Sequence, residues 1–358
     1  MAGTTLLTLR GRLQDILGDY NSIYADKYTD AINNAIREVY PNLYEAIDDQ
    51  SLITGNILPP FNWTSTNALQ LYTTSSCSLT KTTTSGLYRN NPSAKVTASA
   101  ADGYLYLDSN NYRRLLDLKN QTIDFKCWVY PEVADDAFLT IYTIKADGTT
   151  QTLNSITTCP ASKFTLLSLE SQDINDDIVQ IQFRLRVHTD TKYTYFDAPR
   201  VTGFTVYEYL LPYDLQFGHV DEVYVQSSGY SDDACDDLFP TNWERVRGWD
   251  ITNDGTYKYL HLPYAYSSER RIRLIGRKPL DILAADTESI NIDGEGYIQL
   301  LLRYAAYLVY EMQADGIGTD DITRYERAAQ KQLAKYYELV RAHGQPPPRK
   351  FINRSLNE

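Results

Sequence analysis

The hydrophobic positions of the chain change period twice. Leu6, Leu9, Leu13, Ile16 and Leu17 recur at helical spacing, with Arg10, Arg12, Gln14 and Asp15 between them. Gly18 closes that run as a C′ glycine does. A second stripe, Tyr28, Ala31, Ile32, Ala35 and Val39, predicts another helix from about Ala25, with Asp26, Lys27, Asn33, Asn34, Arg37 and Glu38 on its polar face. Pro41 interrupts it, and residues 43–47 read as one more helical turn. From 51 to 206 the helical period disappears. Ser, Thr and Asn dominate, and alternating runs take over: Tyr104-Leu105-Tyr106-Leu107, then 122–129, 138–144, 164–169, 178–187 and 193–196. Asp102-Gly103, Ser109-Asn110-Asn111 and Asp147-Gly148 separate them, and Asp147-Gly148 predicts a hairpin.

Further strand candidates stand at 220–225, 257–262 and 271–275. The helical period then returns. Ile298, Leu301, Leu302, Ala305, Leu308, Val309 and Met312 form a face broad enough to mark a mostly buried helix. Ile322, Tyr325, Ala329, Leu333, Tyr336, Tyr337 and Val340 follow on a last helix, with Thr319 as its N-cap. The expected fold class is α+β. Residues 1–50 and 208–345 would form a discontinuous, mainly helical domain with a small β part. An all-β jelly-roll sandwich over 51–207 would be inserted into it, and 346–358 would be an extended tail.

Composition narrows the function. The 358 residues carry a net charge of −12, which excludes non-specific nucleic-acid binding by the whole surface. Cys77, Cys127, Cys159 and Cys235 are far apart and form no CxxC pair; they read as free thiols of a protein assembled in a reducing cytoplasm. No signal-peptide pattern opens the chain, and Gln299, Arg303 and Glu311 interrupt the longest apolar run, so no membrane partner is expected. Tyrosine is abundant, 30 against 10 Phe, which suits half-buried surfaces and interfaces.

Catalytic signals are missing from the sequence. His188, His219, His261 and His343 show no metal-ligand spacing, and no GxSxG, Walker A or GxGxxG pattern occurs. Asp293-Gly294-Glu295-Gly296 reads as a turn opening a helix. Asp135-Asp136 and Asp176-Asp177 read as solvated turns rather than a glycosidase pair. No catalytic residue and no cofactor are expected. Asp197 is the one candidate ligand for a structural calcium in the sandwich. Tyr72, Tyr88, Tyr104, Tyr106, Tyr112 and Tyr193 are candidates for stacking on sugar rings, while Trp63 and Trp128 read as core. Between 201 and 243 there is no Lys or Arg, and Asp232, Asp233, Asp236 and Asp237 cluster as an acidic face toward a partner or a DNA channel. Arg271 and Arg273 share one strand face, suited to an acidic neighbour or to DNA phosphates.

Two resemblances follow. The run from Tyr28 through Ala31-Ile32-Asn33-Asn34-Ala35 to Tyr40, the segment Arg271-Ile272-Arg273-Leu274 to Leu280, and Leu283 to Ile292 leading into the helix after Gly296 resemble the head–tail adaptor (head-completion, or neck) proteins of tailed bacteriophages. That resemblance covers 1–50 and 208–345. It implies a structural virion protein, not an enzyme, forming a homo-oligomeric, dodecameric ring beneath the portal protein. The ring would extend the channel for genomic DNA without sequence-specific binding and offer tail or nozzle proteins a platform. The protein would then reside in the virion neck after assembly in the host cytoplasm. It further implies that Pro346, Pro347, Pro348, Arg349, Lys350, Phe351, Ile352, Arg354 and Leu356 dock into the portal. The second resemblance covers 51–207. Asn56-Ile57-Leu58-Pro59 with Trp63, the run 125–130 and Tyr195-Phe196-Asp197-Ala198-Pro199-Arg200-Val201 resemble a carbohydrate-binding-module jelly roll. It implies the alternative function of a glycan-binding accessory or tail protein acting through the sandwich, with a glycoside hydrolase as a third reading.

Overall fold

The computed structural model describes residues 4–19, 25–63, 68–82, 92–227, 243–266, 269–292, 294–314 and 319–344. In chain order, its elements open with β1 (Thr4–Thr5), α1 (Leu6–Leu17), α2 (Ala25–Val39), β2 (Glu45–Ile53), β3 (Tyr72–Ser75), β4 (Cys77–Lys81), β5 (Ala94–Ala98) and β6 (Gly103–Asp108). They continue with β7 (Thr122–Pro131), β8 (Ala137–Lys145), β9 (Thr150–Asn154), β10 (Thr165–Asp173), β11 (Ile178–Val187), β12 (Tyr193–Thr202), β13 (Glu208–Leu210), α3 (Tyr213–Phe217) and β14 (His219–Gln226). Then come β15 (Trp243–Arg245), β16 (Asp250–Asn253), β17 (Lys258–His261), β18 (Arg271–Lys278), β19 (Ser289–Ile290), α4 (Glu295–Ala314) and α5 (Thr319–His343). Two compact units result: Met1–Ile47 with Phe217–Asp221 and Gly276–Glu358, and Asp48–Gln216 with Glu222–Ile275.

The first unit is built on the amphipathic stripes. Thr5 caps α1 by accepting the Thr8 N–H, and Gly18 ends it at φ 70°. Leu9 and Leu13 of α1, Ile32 and Ala35 of α2, and Leu301 and Ala305 of α4 are all buried in one cluster. Tyr304 of α4 reaches Glu38 of α2 with its hydroxyl at 2.5 Å. Among the described residues no helix is long and apolar enough to cross a membrane.

The second unit carries an antiparallel sandwich of jelly-roll type. One five-stranded sheet has the order β10-β7-β12-β5-β4 and the other β3-β6-β11-β8-β9. Alternation along each strand supplies one apolar face per sheet, and these faces close on a common core. Phe125 of β7 and Phe183 of β11 meet there edge to face, with ring centres 5.1 Å apart. The Asp147-Gly148 turn joins β8 to β9, with Gly148 at φ 84°. Trp63 and Trp128 are buried. The smaller sheets have the orders β13-β17-β16, β15-β14-β18-β2 and β1-β19.

These strands overturn the expected mainly helical adaptor domain. Strands hold 39% of the described residues and helices 27%. The stretch counted with the helices contains β13 to β18, and Glu222–Ile275 belongs to the unit that holds the sandwich. The strand candidates at 220–225, 257–262 and 271–275 are β14, β17 and β18, whereas β13, β15 and β16 are only three or four residues long, too short to show a strand period. Residues 43–47 also depart from expectation. The chain leaves the helix and enters β2 at Glu45, because cross-strand pairing outweighs local helix propensity.

Candidate functional site

The outward face of the β3-β6-β11-β8-β9 sheet is rich in rings and planar polar groups. On β6, Gly103, Leu105 and Leu107 point into the core, so Tyr104 and Tyr106 point outward. On β11 the same alternation turns Gln182, Arg184 and Arg186 outward. Antiparallel register then assembles rows across the sheet. Tyr106 stands opposite Arg184, Arg184 opposite Thr140, and Thr140 opposite Asn154. One row over, Gln182 stands opposite Tyr142, and Tyr142 opposite Thr152. On the other side Tyr104 faces Arg186, which faces Phe138.

Arg184 is the hub. Its Nε and Nη2 donate to Gln182 Oε1 at 2.9 and 2.6 Å. Its guanidinium carbon lies 4.0 Å from the Tyr142 ring centre and 4.8 Å from that of Tyr104. The fork uses only part of its donor set, so further N–H groups remain for a ligand. Tyr104 and Tyr106 stand with ring centres 5.5 Å apart, tilted by 55°. Thr140 Oγ1 donates to Asn154 Oδ1 at 2.7 Å, which fixes the amide of that exposed residue. At the edge, Asp102 takes Arg186 Nη2 at 3.3 Å and stands 2.9 Å from His188 Nδ1. Burial lowers the Arg186 guanidinium pKa, and Asp102 opposes that shift. The arrangement is a rigid, half-exposed surface of aromatic faces interleaved with amide and guanidinium donors. Such a surface stacks on the C–H face of a saccharide ring while bonding to its hydroxyls.

No family model matches the chain, and no curated protein matches it. Solved structures resemble part of it. The C-terminal family 22 carbohydrate binding module of Clostridium thermocellum Xyn10B shares 13% identity, covering 42% of this chain and 95% of that one, at a TM-score of 0.36. A xylan-binding domain from Paenibacillus barcinonensis Xyn10C shares 16% identity over 45% of this chain and 97% of that one, at 0.32. The enzymatically active domain of bacteriophage CBA120 tailspike protein 4 shares 8% identity over 40% of this chain and 22% of that one, at 0.29. At these identities and scores the sandwich assignment stands on the strand order above.

The sequence candidates fall in different places. Tyr104 and Tyr106 are on the ring-rich face. Tyr72 is packed edge to face on Phe61, with its hydroxyl bonded to the Pro59 carbonyl at 3.3 Å, and burial raises its pKa. Tyr112 is buried, and its pKa is raised for the same reason. Neither is available to a sugar. Tyr193 lies on the opposite sheet beside Tyr195, with Lys95 Nζ 4.0 Å from its ring centre. Tyr88, Cys235, the acidic group Asp232, Asp233, Asp236 and Asp237, and the tail Pro346, Pro347, Pro348, Arg349, Lys350, Phe351, Ile352, Arg354 and Leu356 lie outside the described residues.

Asp197 is 2% exposed and sits where the β12 register breaks, between Asp197 and Arg200. Its carbonyl accepts from Cys127 Sγ at 3.3 Å, and burial raises that thiol. Among the described residues no group of three or more His, Cys, Asp or Glu is arranged to hold a metal ion. Arg271 is buried, and its Nε donates to Ser51 Oγ at 2.8 Å. Arg273 is half-buried, and both guanidinium groups flank the Trp243 ring at 5.8 and 6.0 Å. Arg271 is therefore a packing residue of the fold rather than part of an open basic face. The residues missed from sequence are Tyr142, Gln182, Arg184 and Asn154. Their signal was present, as polar and aromatic residues at the outward positions of alternating runs.

Proposed function

We propose that this protein is a non-catalytic glycan-binding protein that acts through the outward face of the β3-β6-β11-β8-β9 sheet. The carrying observation is Arg184, held by Gln182 and flanked by the Tyr142 and Tyr104 rings, with Tyr106 as its cross-strand neighbour. A pre-fixed guanidinium loses little freedom on binding, so its remaining donors contribute to affinity rather than to ordering. Aromatic rings beside it supply apolar area at low entropic cost. The ring, portal, tail and DNA-channel partners belong to the adaptor resemblance and form no part of this reading.

Screening the full chain on a glycan array tests the proposal. Retention of a defined set of saccharides, weakened with Arg184→Ala, is the expected outcome. Absence of any glycan retained above background contradicts it.

A further inference from the structure

A second cleft in the same unit shares no residue with that face. The 3-10 helix at Arg113–Leu118 carries Arg114 and Asp117, and Gln121 follows it closely. Strand β13 sets Glu208 opposite His261 of β17, and Tyr207 immediately precedes β13. These six side chains, with Phe204 and Thr205, are the polar and aromatic lining of a cleft of about 620 Å³. That volume falls within the ~300–1,000 Å³ range of small-molecule sites.

Two parts of the lining are fixed in advance. Glu208 binds the Arg114 guanidinium, accepts Thr252 Oγ1 at 3.2 Å and lies 3.8 Å from His261 Nδ1. The Arg114 guanidinium carbon lies 3.9 Å from the Tyr259 ring centre. Tyr207 stacks on the His261 imidazole at an interplanar angle of 21°, yet remains 46% exposed. A ring stacked on one side and exposed to this degree presents its other side to solvent. Asp117 and Gln121 are exposed beside it.

We infer that this cleft is a second saccharide site, specific for a short neutral oligosaccharide. The C–H face of a sugar ring packs on Tyr207. Its hydroxyls donate to Asp117 and exchange hydrogen bonds with Gln121 and the Arg114–Glu208 pair. The Asp117 and Glu208 carboxylates repel uronic or sialic acid residues, which sets the preference for neutral sugars. With the sheet face, this cleft makes the unit bivalent, and a polysaccharide engaging both gains avidity without new contacts.

Isothermal titration of the full chain carrying Tyr106→Ala tests the cleft, with xylohexaose, cellohexaose, maltohexaose and β-1,4-galactotriose as the probes. At least one probe is expected to bind this variant at one site. Adding Tyr207→Ala should weaken that binding about tenfold, the size of one lost aromatic stacking contact. Asp117→Asn should weaken it less and relax the discrimination against an oligogalacturonate. Both residues are exposed, so an unchanged thermal midpoint verifies the fold. No binding of any probe to the Tyr106→Ala chain, or equal binding with and without Tyr207, overturns the inference. The two sites fail separately. If only the sheet-face reading is wrong, wild type and Tyr106→Ala bind alike and both depend on Tyr207.

Discussion

The Arg184 guanidinium carbon lies 4.0 Å from the centre of the Tyr142 ring, while Nε and Nη2 of the same group bind one oxygen of Gln182. Lysine keeps the charge at this position but has neither the planar fork nor the stacking face. Arg184→Lys is therefore expected to weaken saccharide binding about tenfold while leaving the fold intact. Titration with a saccharide chosen from the array measures this. Unchanged affinity would remove the guanidinium from the site.

A ring pair spans the two sheets of the sandwich. Phe125 and Phe183 are both buried and meet at 5.1 Å. Phe183→Ala leaves a cavity between the sheets and should cost about 3–5 kcal/mol. Urea denaturation of the full chain reads the loss. A cost below about 1 kcal/mol would mean that the sheets collapse onto the gap.

Gly103 opens the strand that presents Tyr104 and Tyr106. A Cβ there would stand 2.3 Å from the Ser76 carbonyl oxygen, a backbone atom that cannot swing aside. Gly103→Ala should destabilise the protein by about 1–3 kcal/mol through this overlap. It should also weaken saccharide binding, because β6 shifts with it. A thermal midpoint equal to that of the wild type would contradict the close approach.

Alkaline pH should unfold the sandwich unit. Burial raises the Tyr209 phenol from 10.0 to about 12, against the lowering effect of the Gly55 N–H bonded to its oxygen. Burial likewise raises Tyr72, Tyr112 and Tyr259. These groups are harder to ionise in the folded chain than in the unfolded one. Their contribution to stability is full below pH 10.0 and is lost as pH rises through the folded values. The urea midpoint should hold steady between about pH 7 and 9 and fall steeply above about pH 10. Phenolate absorbance at 295 nm should show a late phase coincident with unfolding. Complete titration of all tyrosines near pH 10 with the fold intact would contradict the burial.

Individual helices and strands were legible where they rest on local period. Leu6 to Leu17 and the 28–39 stripe gave α1 and α2, and alternation at 104–107 and 178–187 gave β6 and β11. The site was legible only in part. Tyr104 and Tyr106 stand out on one strand, but their neighbours Arg184, Gln182 and Tyr142 come from β11 and β8. They become neighbours through register, which the sequence does not display. Strands β13, β15 and β16 were missed for a related reason. They are short, and β13 pairs with β17 across α3, β14, β15 and β16. Arg271 misled in another way. Its alternation with Ile272 suggested a face for an acidic neighbour or DNA phosphates, but Ser51 and Trp243 cover that side of the strand.

In the proposed function, saccharide binds on the face around Arg184 and Tyr106. Isothermal titration of the wild-type chain and of Tyr106→Ala, using the saccharide most strongly retained on the array, tests it most directly. Binding by the wild type is expected, with an affinity at least about tenfold lower for Tyr106→Ala at an unchanged thermal midpoint. Equal affinity in the two proteins would contradict it.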